Sequence, residues 1–508
     1  SLYNILAFIM DEGLPMVKDA KRQDYDETEI LRIMHAHNPW WASRWVPSSK
    51  APPFKRRDFY KLLKELKDPK VTAIVGARRV GKTTLMYQLI DYIVSRIGSE
   101  KVMYISLDDP YLRVDVKLLG QIFDLYSRYI LKQPFSEITD PIYIFLDEIQ
   151  TLTGWELFLK RWFDLGYKVK FFVSGSSSTN IITGGAESLV GRMHLQIVFP
   201  MKFLETIRFH MVDKDLERRF DRVNWKLREA LKISMLKDDA ETFYSALREN
   251  ANVLAGDIDR INLLLQDYLL KGGYPEVVKT EDLHLAAENL KTYLDLTIYK
   301  DIVRTFKIRD PIAFEELIAV LARECSHRLN YSELARTLGL KRHTLKSYIY
   351  FLKTTFLISE SEYYSKSRAK RIRREKKVYI NDPGIRNVAV GALNEYLLSD
   401  TAELGKVVEA VVADHCRRLK FDLEPTSEIQ TFYWKNKQYE TDIIIERFQK
   451  PLPIEVKYRE RIDKRDLRGL LDFSERNKPS IKIVVTRERL DQNDKIIFIP
   501  LWLFLMMC

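Results

Sequence analysis

The stretch "VTAIVGARRVGKTTLMYQL", residues 71–89, decides the fold of the first large part of this chain. An apolar run typical of a buried strand gives way to Gly76 and then to Gly81, Lys82 and Thr83, after which an apolar helical pattern begins. The spacing Gly-x-x-x-x-Gly-Lys-Thr between a strand and a helix predicts a P-loop, whose backbone N–H groups surround phosphate oxygens. We therefore expect Lys82 to reach the β and γ phosphates of ATP and Thr83 to bind Mg²⁺.

Length and composition indicate several folded domains. The chain has 508 residues, and a length of about 150 residues per domain suggests three or four. Its 82 Lys+Arg exceed its 71 Asp+Glu and leave a formal charge of +11, and this excess matters because much of it is concentrated in one stretch. Cys325, Cys416 and Cys508 have no pairing or metal-binding spacing, so we expect neither disulfides nor zinc, in keeping with a cytoplasmic location.

Two terminal stretches are strongly apolar. "SLYNILAFIM" opens the chain and "KIIFIPLWLFLMMC" closes it, but both are shorter than the roughly 20 residues that a membrane span needs. We expect no membrane partner, and the closing stretch is interpreted as a last strand and turn packed on a domain.

The order of patterns along the chain predicts a multidomain α/β fold. Residues 1–50 form a leader rich in Trp and Pro, expected to be an extended segment lying on another surface. Residues 51–204 alternate strands and helices, which favours a parallel sheet covered on both faces. Residues 205–312 are helical, residues 313–390 combine short helices with two strands, and residues 391–508 start a further α/β unit.

Polar residues at the ends of two later strands complete a predicted ATP site. "PIYIFLDEIQ" places Asp147 and Glu148 after an apolar strand, where Asp147 is expected to hold Mg²⁺ and Glu148 to orient and deprotonate the attacking water. "KVKFFVSGSSS" ends in Ser174 and Ser176, and either serine could sense the γ-phosphate; a serine-glycine turn without that role is the alternative.

Arg192 follows a glycine in an otherwise apolar stretch and is a candidate arginine finger. In that role it stabilises charge on the γ-phosphate of a neighbouring subunit, which implies a homo-oligomer. A surface or salt-bridged arginine is the alternative.

The order of these motifs resembles a known family. "GARRVGKTT", "YIFLDEIQ", "VSGSSS", the "GR" before "FPMKFLE", and "KGGYPEVV" resemble archaeal and bacterial AAA-type ATPases related to the STAND and origin-recognition lineages. The resemblance implies an archaeal or bacterial P-loop ATPase with a helical lid, in which Pro275 lies against the nucleotide base. The nucleotide-binding residues expected are Gly76, Gly81, Lys82, Thr83, Thr84, Ser174, Ser176 and Pro275.

Residues 330–358, "NYSELARTLGLKRHTLKSYIYFLKTTFLI", predict two helices joined at Gly339, with basic residues on the exposed face of the second. Two strands follow, joined by "SKSRAKRIRRE", and eight of the twelve residues 366–377 are basic. This pattern predicts a winged helix-turn-helix with a basic wing that binds DNA phosphates. The expected DNA-binding residues are Arg342, Lys346, Lys370, Arg371, Arg373 and Arg374; a protein contact at this surface is the alternative.

Three fragments near the end carry a possible metal-and-base arrangement: Glu409 on a helix, Asp442 in a strand, and the pair Glu455 and Lys457 two residues apart on one strand face. Carboxylates bind Mg²⁺ or Mn²⁺, and a lysine can position or deprotonate the metal's water. The pattern resembles the PD-(D/E)xK nuclease superfamily, which implies a restriction-endonuclease-like α/β domain with Glu409, Asp442 and Glu455 as metal ligands and Lys457 as catalytic residue. Glu440 is an alternative to Asp442 within its strand, and a nuclease-like fold that does not cut remains open.

The sequence thus favours an ATP-dependent DNA-processing protein with ATP and Mg²⁺ as cofactors and Mn²⁺ as an alternative metal at the last domain. The alternatives are a non-cutting, ATP-dependent molecular switch that binds DNA or protein, and an ATPase that acts only on a protein partner.

Overall fold

The computed structural model of the chain describes residues 26–112, 114–176, 189, 191–211, 214–303, 306–308, 310–423, 431–447 and 450–508. The first 25 residues of the predicted leader lie outside this set. Among the described residues, no helix is both long and apolar enough to cross a membrane.

The described part of the leader is mostly helical, and the prediction of an extended segment is wrong for it. It forms α1 (Glu27–His37) and α2 (Trp40–Ser43). Between them, the Asn38 amide donates to the carbonyl of Tyr104 at 2.9 Å and accepts from its N–H at 2.6 Å. The Trp41 indole donates to the carbonyl of Val102 at 2.9 Å. These contacts satisfy backbone groups on an edge strand of the first sheet and cover that edge.

The predicted ATPase core is built on a five-stranded parallel sheet with the order β2-β3-β4-β1-β5. Its strands are β1 (Val71–Val75), β2 (Val102–Ser106), β3 (Ile142–Asp147), β4 (Val169–Gly175) and β5 (Met193–Ile197). The accompanying helices are α3 (Arg57–Glu65), α4 (Lys82–Arg96), α5 (Val116–Leu125) and α6 (Trp155–Asp164). Every residue of β1 and β3 is buried, as expected for strands covered on both faces.

The helical region begins two residues before its predicted boundary. Its helices are α7 (Phe203–His210), α8 (Lys214–Lys237), α9 (Ala240–Val253), α10 (Ile258–Lys271), α11 (Pro275–Val278) and α12 (Leu283–Leu296). A π-helical segment, Thr297–Val303, continues α12 toward the next unit. π-helical turns occur frequently at functional sites, so this segment is a place to look for one.

Residues 311–380, called here the helix-hairpin unit, contain three helices, three strands and a short connecting helix. The elements are α13 (Pro311–Arg323), β6 (Arg328–Leu329), α14 (Tyr331–Thr337), α15 (Arg342–Thr354), β7 (Ile358–Tyr363), α16 (Arg368–Arg373) and β8 (Lys376–Ile380). The basic connection between β7 and β8 therefore contains a helical turn and a half, which the sequence analysis did not expect.

The last unit follows α17 (Pro383–Ala389) and is called here the C-terminal unit. Its elements are α18 (Thr401–Leu423), β9 (Phe432–Lys435), β10 (Glu440–Arg447), β11 (Lys450–Lys457), α19 (Arg468–Asn477), β12 (Lys482–Thr486), β13 (Asp491–Asn493), β14 (Ile496–Pro500) and α20 (Leu501–Met507). The closing apolar stretch is thus a strand followed by a fully buried helix, not the predicted strand and turn.

The two last units share one nine-stranded sheet, with the order β13-β14-β12-β11-β10-β9-β7-β8-β6. The joint is a parallel pairing of β7 with β9, in which Glu362 lies beside Phe432 and Tyr363 beside Tyr433. Backbone hydrogen bonds therefore cross the predicted boundary at residue 390 and join the helix-hairpin unit to the C-terminal unit.

Candidate functional site

The P-loop lies between β1 and α4, at the carboxyl edge of the parallel sheet. Gly81 has φ of +96°, a left-handed conformation that favours glycine. A Cβ atom added at Gly76 would overlap the carbonyl oxygen of Val198, just after β5. Both glycines of the motif are therefore required by the backbone geometry itself.

Lys82 is the first residue of α4 and is 6% exposed. Its ammonium group donates to the carbonyls of Gly76 and Ala77, both at 2.9 Å, so it is folded over its own loop. Burial lowers the pKa of Lys82, while the nearby Glu148 and Asp147 carboxylates oppose that shift. The ammonium is held at the loop that would surround phosphates.

Asp147, at the end of β3, accepts hydrogen bonds from three hydroxyl groups. Thr83 donates to its Oδ2 at 2.7 Å and Tyr104 to the same oxygen at 2.8 Å, while Ser174 donates to Oδ1. Burial, and next the Asp147 charge, raise the pKa of the Tyr104 hydroxyl far above its usual range, so it remains a donor. The adjacent Thr83 hydroxyl and Asp147 carboxylate are oxygen ligands of the kind Mg²⁺ takes, and they fit the metal predicted there.

Glu148 has φ of +56°, a left-handed conformation that is unusual for a residue other than glycine. Its N–H donates to the Ser174 hydroxyl at 3.0 Å, and its carboxylate accepts from the Gln150 amide. Ser176 also accepts from Gln150, at 3.4 Å. Of the two candidate serines, Ser174 is the one that contacts both acidic residues. Strained backbone at such a position is consistent with a functional site.

The "GGYP" segment brings the helical region against the P-loop. A Cβ at Gly273 would overlap the backbone of Met201. The Gly273 N–H donates to the Asp382 carboxylate at 2.8 Å. The next turn places Pro275 Cγ 3.9 Å from the Cβ position of Gly81. Pro275 is therefore adjacent to the predicted phosphate loop, and its contact with the nucleotide base stays a prediction.

Two arginines of the P-loop are bound by acidic residues of the helical region. Arg78 makes a bidentate pair with Asp301, with N···O distances of 2.8 and 2.7 Å, and Asp301 is 5% exposed in the π-helical segment. Arg79 lies 3.8 Å from Glu276 and stacks over Tyr293 at 5.7 Å. The phosphate loop is thus tied to the helical region at two points.

Arg192 lies at the opposite edge of the sheet from the P-loop. Its carbonyl accepts from the N–H of Val71, at the start of β1, whereas the P-loop follows the last residue of β1. Five strand residues separate the two edges by about 16 Å. The Arg192 guanidinium pairs with Asp164 at 3.2 Å and stacks over Phe163. Arg192 is thus salt-bridged, as in the alternative raised from the sequence, and its role as an arginine finger stays a prediction.

Four of the six residues predicted to bind DNA line one groove, called here the basic groove. Arg342 and Lys346 of α15 lie on one side, and Arg373 and Arg374 at the end of α16 lie on the other. The volume between them is about 440 Å³. All four side chains are exposed. The basic groove also contains the exposed Tyr350, so it offers cations and an aromatic ring together.

Lys370 and Arg371 are placed differently. Lys370 is exposed and lies over the ring of Tyr363 at 5.7 Å. Arg371 is half-buried, stacks on Phe432 at 4.5 Å and donates to the carbonyl of Ser365. Arg371 thus packs against the C-terminal unit, and its guanidinium is less free to meet a phosphate than those in the basic groove.

The four predicted residues of the C-terminal unit do come together, and a fifth, unpredicted residue lies among them. Asp442 Oδ2 is 3.7 Å from the Lys457 ammonium and accepts from the N–H of Val456 at 3.0 Å. Lys457 also bonds Glu455 at 2.6 Å. Glu409 accepts from Lys377 of β8 at 3.0 Å, and Asp442 Oδ1 lies 3.7 Å from the same ammonium. Two lysines therefore bridge the carboxylates through ion pairs.

Burial and mutual repulsion affect the acids of this cluster unequally. Burial, and then the Asp442 charge, raise the pKa of Glu455 to about 8. Burial also raises the pKa of Glu409 to about 7. For Asp442, burial is outweighed by Lys457 and Lys377, so its pKa is lowered. Asp442 is the carboxylate that these lysines hold ionised.

These carboxylates do not fit a divalent cation as they stand. Across the described ranges, the cluster does not bring three ligand atoms within 4.8 Å of one another; Glu65, Asp68 and His194, on another surface, do. Glu440, the alternative raised from the sequence, pairs with Lys377 at 2.8 Å and with Arg328 and Lys435 at 3.4 Å. Glu409, Glu440, Asp442 and Glu455 each pair with a lysine, and Oε2 of Glu455 is buried without a hydrogen-bond partner.

Sequence reasoning missed Tyr104, Gln150, Asp301 and Lys377. Tyr104 sits in a strand that reads as ordinary core, and Asp301 lies far from the P-loop in sequence. No motif marks either residue, and only the folded chain brings them to the sites.

Comparison with known proteins supports the first part of this assignment. Residues 68–207 match the family model of an AAA domain, and together with the parallel sheet this supports a P-loop AAA-type ATPase. Residues 262–396 and 404–504 match the models of two domains of unknown function, DUF8612 and DUF4143. The predicted AAA-type domain is supported over residues 68–207, and an archaeal origin stays a prediction.

Relatives occur in archaea and bacteria. The uncharacterized protein MJ1544 of Methanocaldococcus jannaschii is 25% identical over 381 residues, which are 74% of this chain and 72% of that one. MJ1637 of the same organism is 25% identical over 460 residues, 88% of each chain. An uncharacterized protein of Haemophilus influenzae is 22% identical over 66% of this chain and 73% of its own length.

Similar solved structures include two archaeal proteins. The Walker-type ATPase PABY2304 of Pyrococcus abyssi is 17% identical, with a TM-score of 0.38, over 66% of this chain and 95% of that chain. The ORC1 protein of Aeropyrum pernix, solved in complex with DNA, is 14% identical, with a TM-score of 0.29, over 69% and 96%.

Proposed function

We propose that this protein is an ATP-hydrolysing DNA-binding switch, in which the nucleotide at the P-loop sets how the basic groove holds DNA. In this proposal residues 311–380 act as a winged helix. Two contacts on either side of residues 304 and 305 carry it. Arg78 of the P-loop pairs with Asp301, and Phe306, a few residues later, stacks on Phe351 of α15 with ring centroids 3.8 Å apart.

The ATPase half of the proposal assigns one task to each residue around the P-loop. Lys82 binds the β and γ phosphates, and Thr83 and Asp147 hold Mg²⁺, which neutralises phosphate charge when bound. Glu148 orients the attacking water and takes its proton, and Ser174 fixes the positions of Asp147 and Glu148.

Arg192 has a separate place in the proposal. It lies too far from the P-loop of its own chain to reach a γ-phosphate there, so the proposal assigns it to the γ-phosphate of a neighbouring copy, with a homo-oligomer as the active form.

The switch half of the proposal follows from Arg78. A guanidinium at the phosphate loop can pair with a carboxylate or with phosphate oxygens. When ATP arrives, its phosphates compete with Asp301 for Arg78. Release of Asp301 changes the π-helical segment, which in turn moves Phe306 against the helix that carries Arg342 and Lys346.

DNA binding is tested by its salt dependence. The double variants Arg342→Ala/Lys346→Ala and Arg373→Ala/Arg374→Ala should each weaken binding to all sequences and lower the salt slope by about one unit for every phosphate that the variant no longer neutralises. The charge-matched control Lys117→Ala/Arg218→Ala removes exposed cations elsewhere and should leave the slope unchanged. Fluorescence anisotropy with a duplex of random sequence measures both quantities. Unchanged slopes in both groove variants would assign the groove to a protein partner.

Coupling is tested in the same assay with ADP and with a non-hydrolysable ATP analogue. The parent protein should show affinities for DNA that differ about five-fold or more between the two nucleotides. Phe306→Ala should reduce that difference while keeping ATP turnover, because it breaks the stack on Phe351 and leaves the P-loop intact. Equal affinities in the parent would remove the switch and leave an ATPase that binds DNA.

Cleavage of DNA by the C-terminal unit is the second candidate function. The convergence of Glu409, Asp442, Glu455 and Lys457 favours it. It requires a divalent cation among groups that are now cross-linked by lysines, and for this reason we rank it below the switch.

A further inference from the structure

Lys377 is an ammonium group placed inside a cluster of carboxylates. It belongs to β8 of the helix-hairpin unit and is 2% exposed. Its Nζ lies 2.8 Å from Glu440, 3.0 Å from Glu409 and 3.7 Å from Asp442, all of which belong to the C-terminal unit. One side chain from one unit therefore meets three carboxylates of the next.

Neighbouring groups complete the shell around these carboxylates. Tyr379, two residues after Lys377 and so on the same strand face, donates its hydroxyl to Glu409 at 3.2 Å. Lys457 occupies the other side of the cluster, between Asp442 and Glu455. Both oxygens of Asp442 are thereby engaged.

A divalent cation at this place needs several oxygen ligands converging at about 2.0–2.6 Å. In the cluster, the same oxygens converge on ammonium nitrogen atoms instead. A cation entering between Glu409 and Asp442 would have to displace Lys377 from both carboxylates and would leave this buried ammonium paired with Glu440 alone. Removing partners from a buried charge is strongly unfavourable.

We propose that Lys377 is the resident cation of this cluster, so that the cluster binds no divalent metal and serves as a charged joint. The joint fixes β8, and with it the basic groove, to the C-terminal unit. In this assignment the C-terminal unit is a scaffold that orients the basic groove. The proposal concerns the joint alone and does not depend on ATP hydrolysis or DNA binding.

The first test measures Mn²⁺ binding to the full chain without nucleotide, by electron paramagnetic resonance. Asp442→Asn and Glu455→Gln report whether any bound ion lies in the cluster. The parent protein should show no Mn²⁺ binding that either substitution removes. Binding that both substitutions remove would overturn the proposal, as would Mn²⁺-dependent DNA nicking that Glu455→Gln abolishes.

The second test removes the resident cation. Lys377→Met should melt several degrees below the parent in EDTA, because three carboxylates lose their shared ammonium, and Mn²⁺ should recover part of that loss. Lys376→Met is the matched control: it is the next residue on β8, pairs with Glu360 and Glu362 on the other face, and is partly exposed. Its melting temperature should not respond to Mn²⁺.

An unchanged melting temperature for Lys377→Met in EDTA would show that the joint does not depend on this lysine and would overturn the proposal. If Lys377→Met does not fold, Lys377→Met combined with Asp442→Asn removes the carboxylate that the lysines hold ionised and should restore folding. Failure of the combined variant to fold better than the single variant would also count against the joint, because charge compensation is its stated basis.

Discussion

The P-loop and the C-terminal unit each bring an aspartate close to a lysine, but the partners of the two aspartates differ. Asp147 is surrounded by hydroxyl groups, and the nearby Lys82 is bonded to backbone carbonyls of its own loop. Asp442 is instead held between the ammonium groups of Lys377 and Lys457.

The two arrangements differ in whether a metal ion can bind the carboxylate without displacing another charge. A hydroxyl group bonded to a carboxylate carries no charge, so a metal ion can take the carboxylate and keep the hydroxyl as a second ligand. A carboxylate paired with ammonium is already neutralised, and a metal must displace a buried charge. An acidic residue near a lysine therefore indicates a metal site only when the lysine is bonded elsewhere.

The largest expected effect concerns the P-loop side of this comparison. Lys82→Ala should abolish ATP turnover, because it removes the charge that meets the β and γ phosphates. Glu148→Gln should still bind ATP but lower turnover by about 10²–10⁴, the range expected for loss of a general base. Steady-state phosphate release and nucleotide binding measure the two steps, with Lys117→Ala as an exposed-lysine control. Parent-rate hydrolysis by Glu148→Gln would show that this residue does not activate water.

Stability separates the two carboxylates directly. Asp442→Ala should lower the free energy of unfolding by about 3–5 kcal/mol, because it leaves buried lysine charge with fewer partners. Asp147→Asn keeps an oxygen acceptor for the surrounding hydroxyls and should cost less than about 1.5 kcal/mol while stopping ATP turnover.

Urea unfolding of both variants beside the parent makes the measurement. Equal losses for the two would mean that the hydroxyl-bonded and the ammonium-bonded carboxylate contribute alike to the fold, against the distinction drawn here.

The P-loop region could be predicted from sequence because its information is local. Gly76, Gly81 and Lys82 act within one strand-turn-helix, and Asp147 and Ser174 end neighbouring strands of a parallel sheet, so all of them meet at its carboxyl edge. The sequence could not show which serine contacts the acidic residues, because Ser174 and Ser176 differ only in their exact position at the end of one strand.

Lys377 shows why the second site could not be predicted. It ends a run in which eight of twelve residues are basic, and the run predicts solvent-facing charge. The strand begins within that run, so Lys376 and Lys377 point to opposite faces, and only Lys377 is buried among the acids of the C-terminal unit. Its partners lie 32 to 65 residues later, and no local pattern connects them.

The helices of the leader and the pairing that joins the last two units were not predicted from the sequence, for a related reason. Asn38 lies between α1 and α2, and Trp41 lies in α2. Both cover the edge of β2, and these contacts depend on the tertiary structure and not on the local sequence. The pairing of β7 with β9 involves two residues of each strand and leaves no signal in either sequence.

A third way to bury an ionisable group gives the smallest expected effect. His415, on the same helix as Glu409, is fully buried and accepts from the N–H of Phe203 at 3.3 Å. Burial lowers its pKa from the usual 6.5 to about 3, so the folded protein keeps it neutral where the unfolded chain protonates it. Stability should therefore fall as pH decreases below 6.5, with about 2 kcal/mol of that loss due to His415 at pH 5.

His415→Gln removes this titration and should reduce the loss of unfolding free energy between pH 7 and pH 5 by about 2 kcal/mol relative to the parent. Urea unfolding at the two pH values measures the difference for each protein separately, so a change in absolute stability does not confuse the result. His343→Gln, at an exposed position on α15, is the matched control and should keep the parent's pH dependence. If His415→Gln loses as much stability on acidification as the parent, the acid sensitivity comes from other groups, and the buried carboxylates of the C-terminal unit become the first to examine.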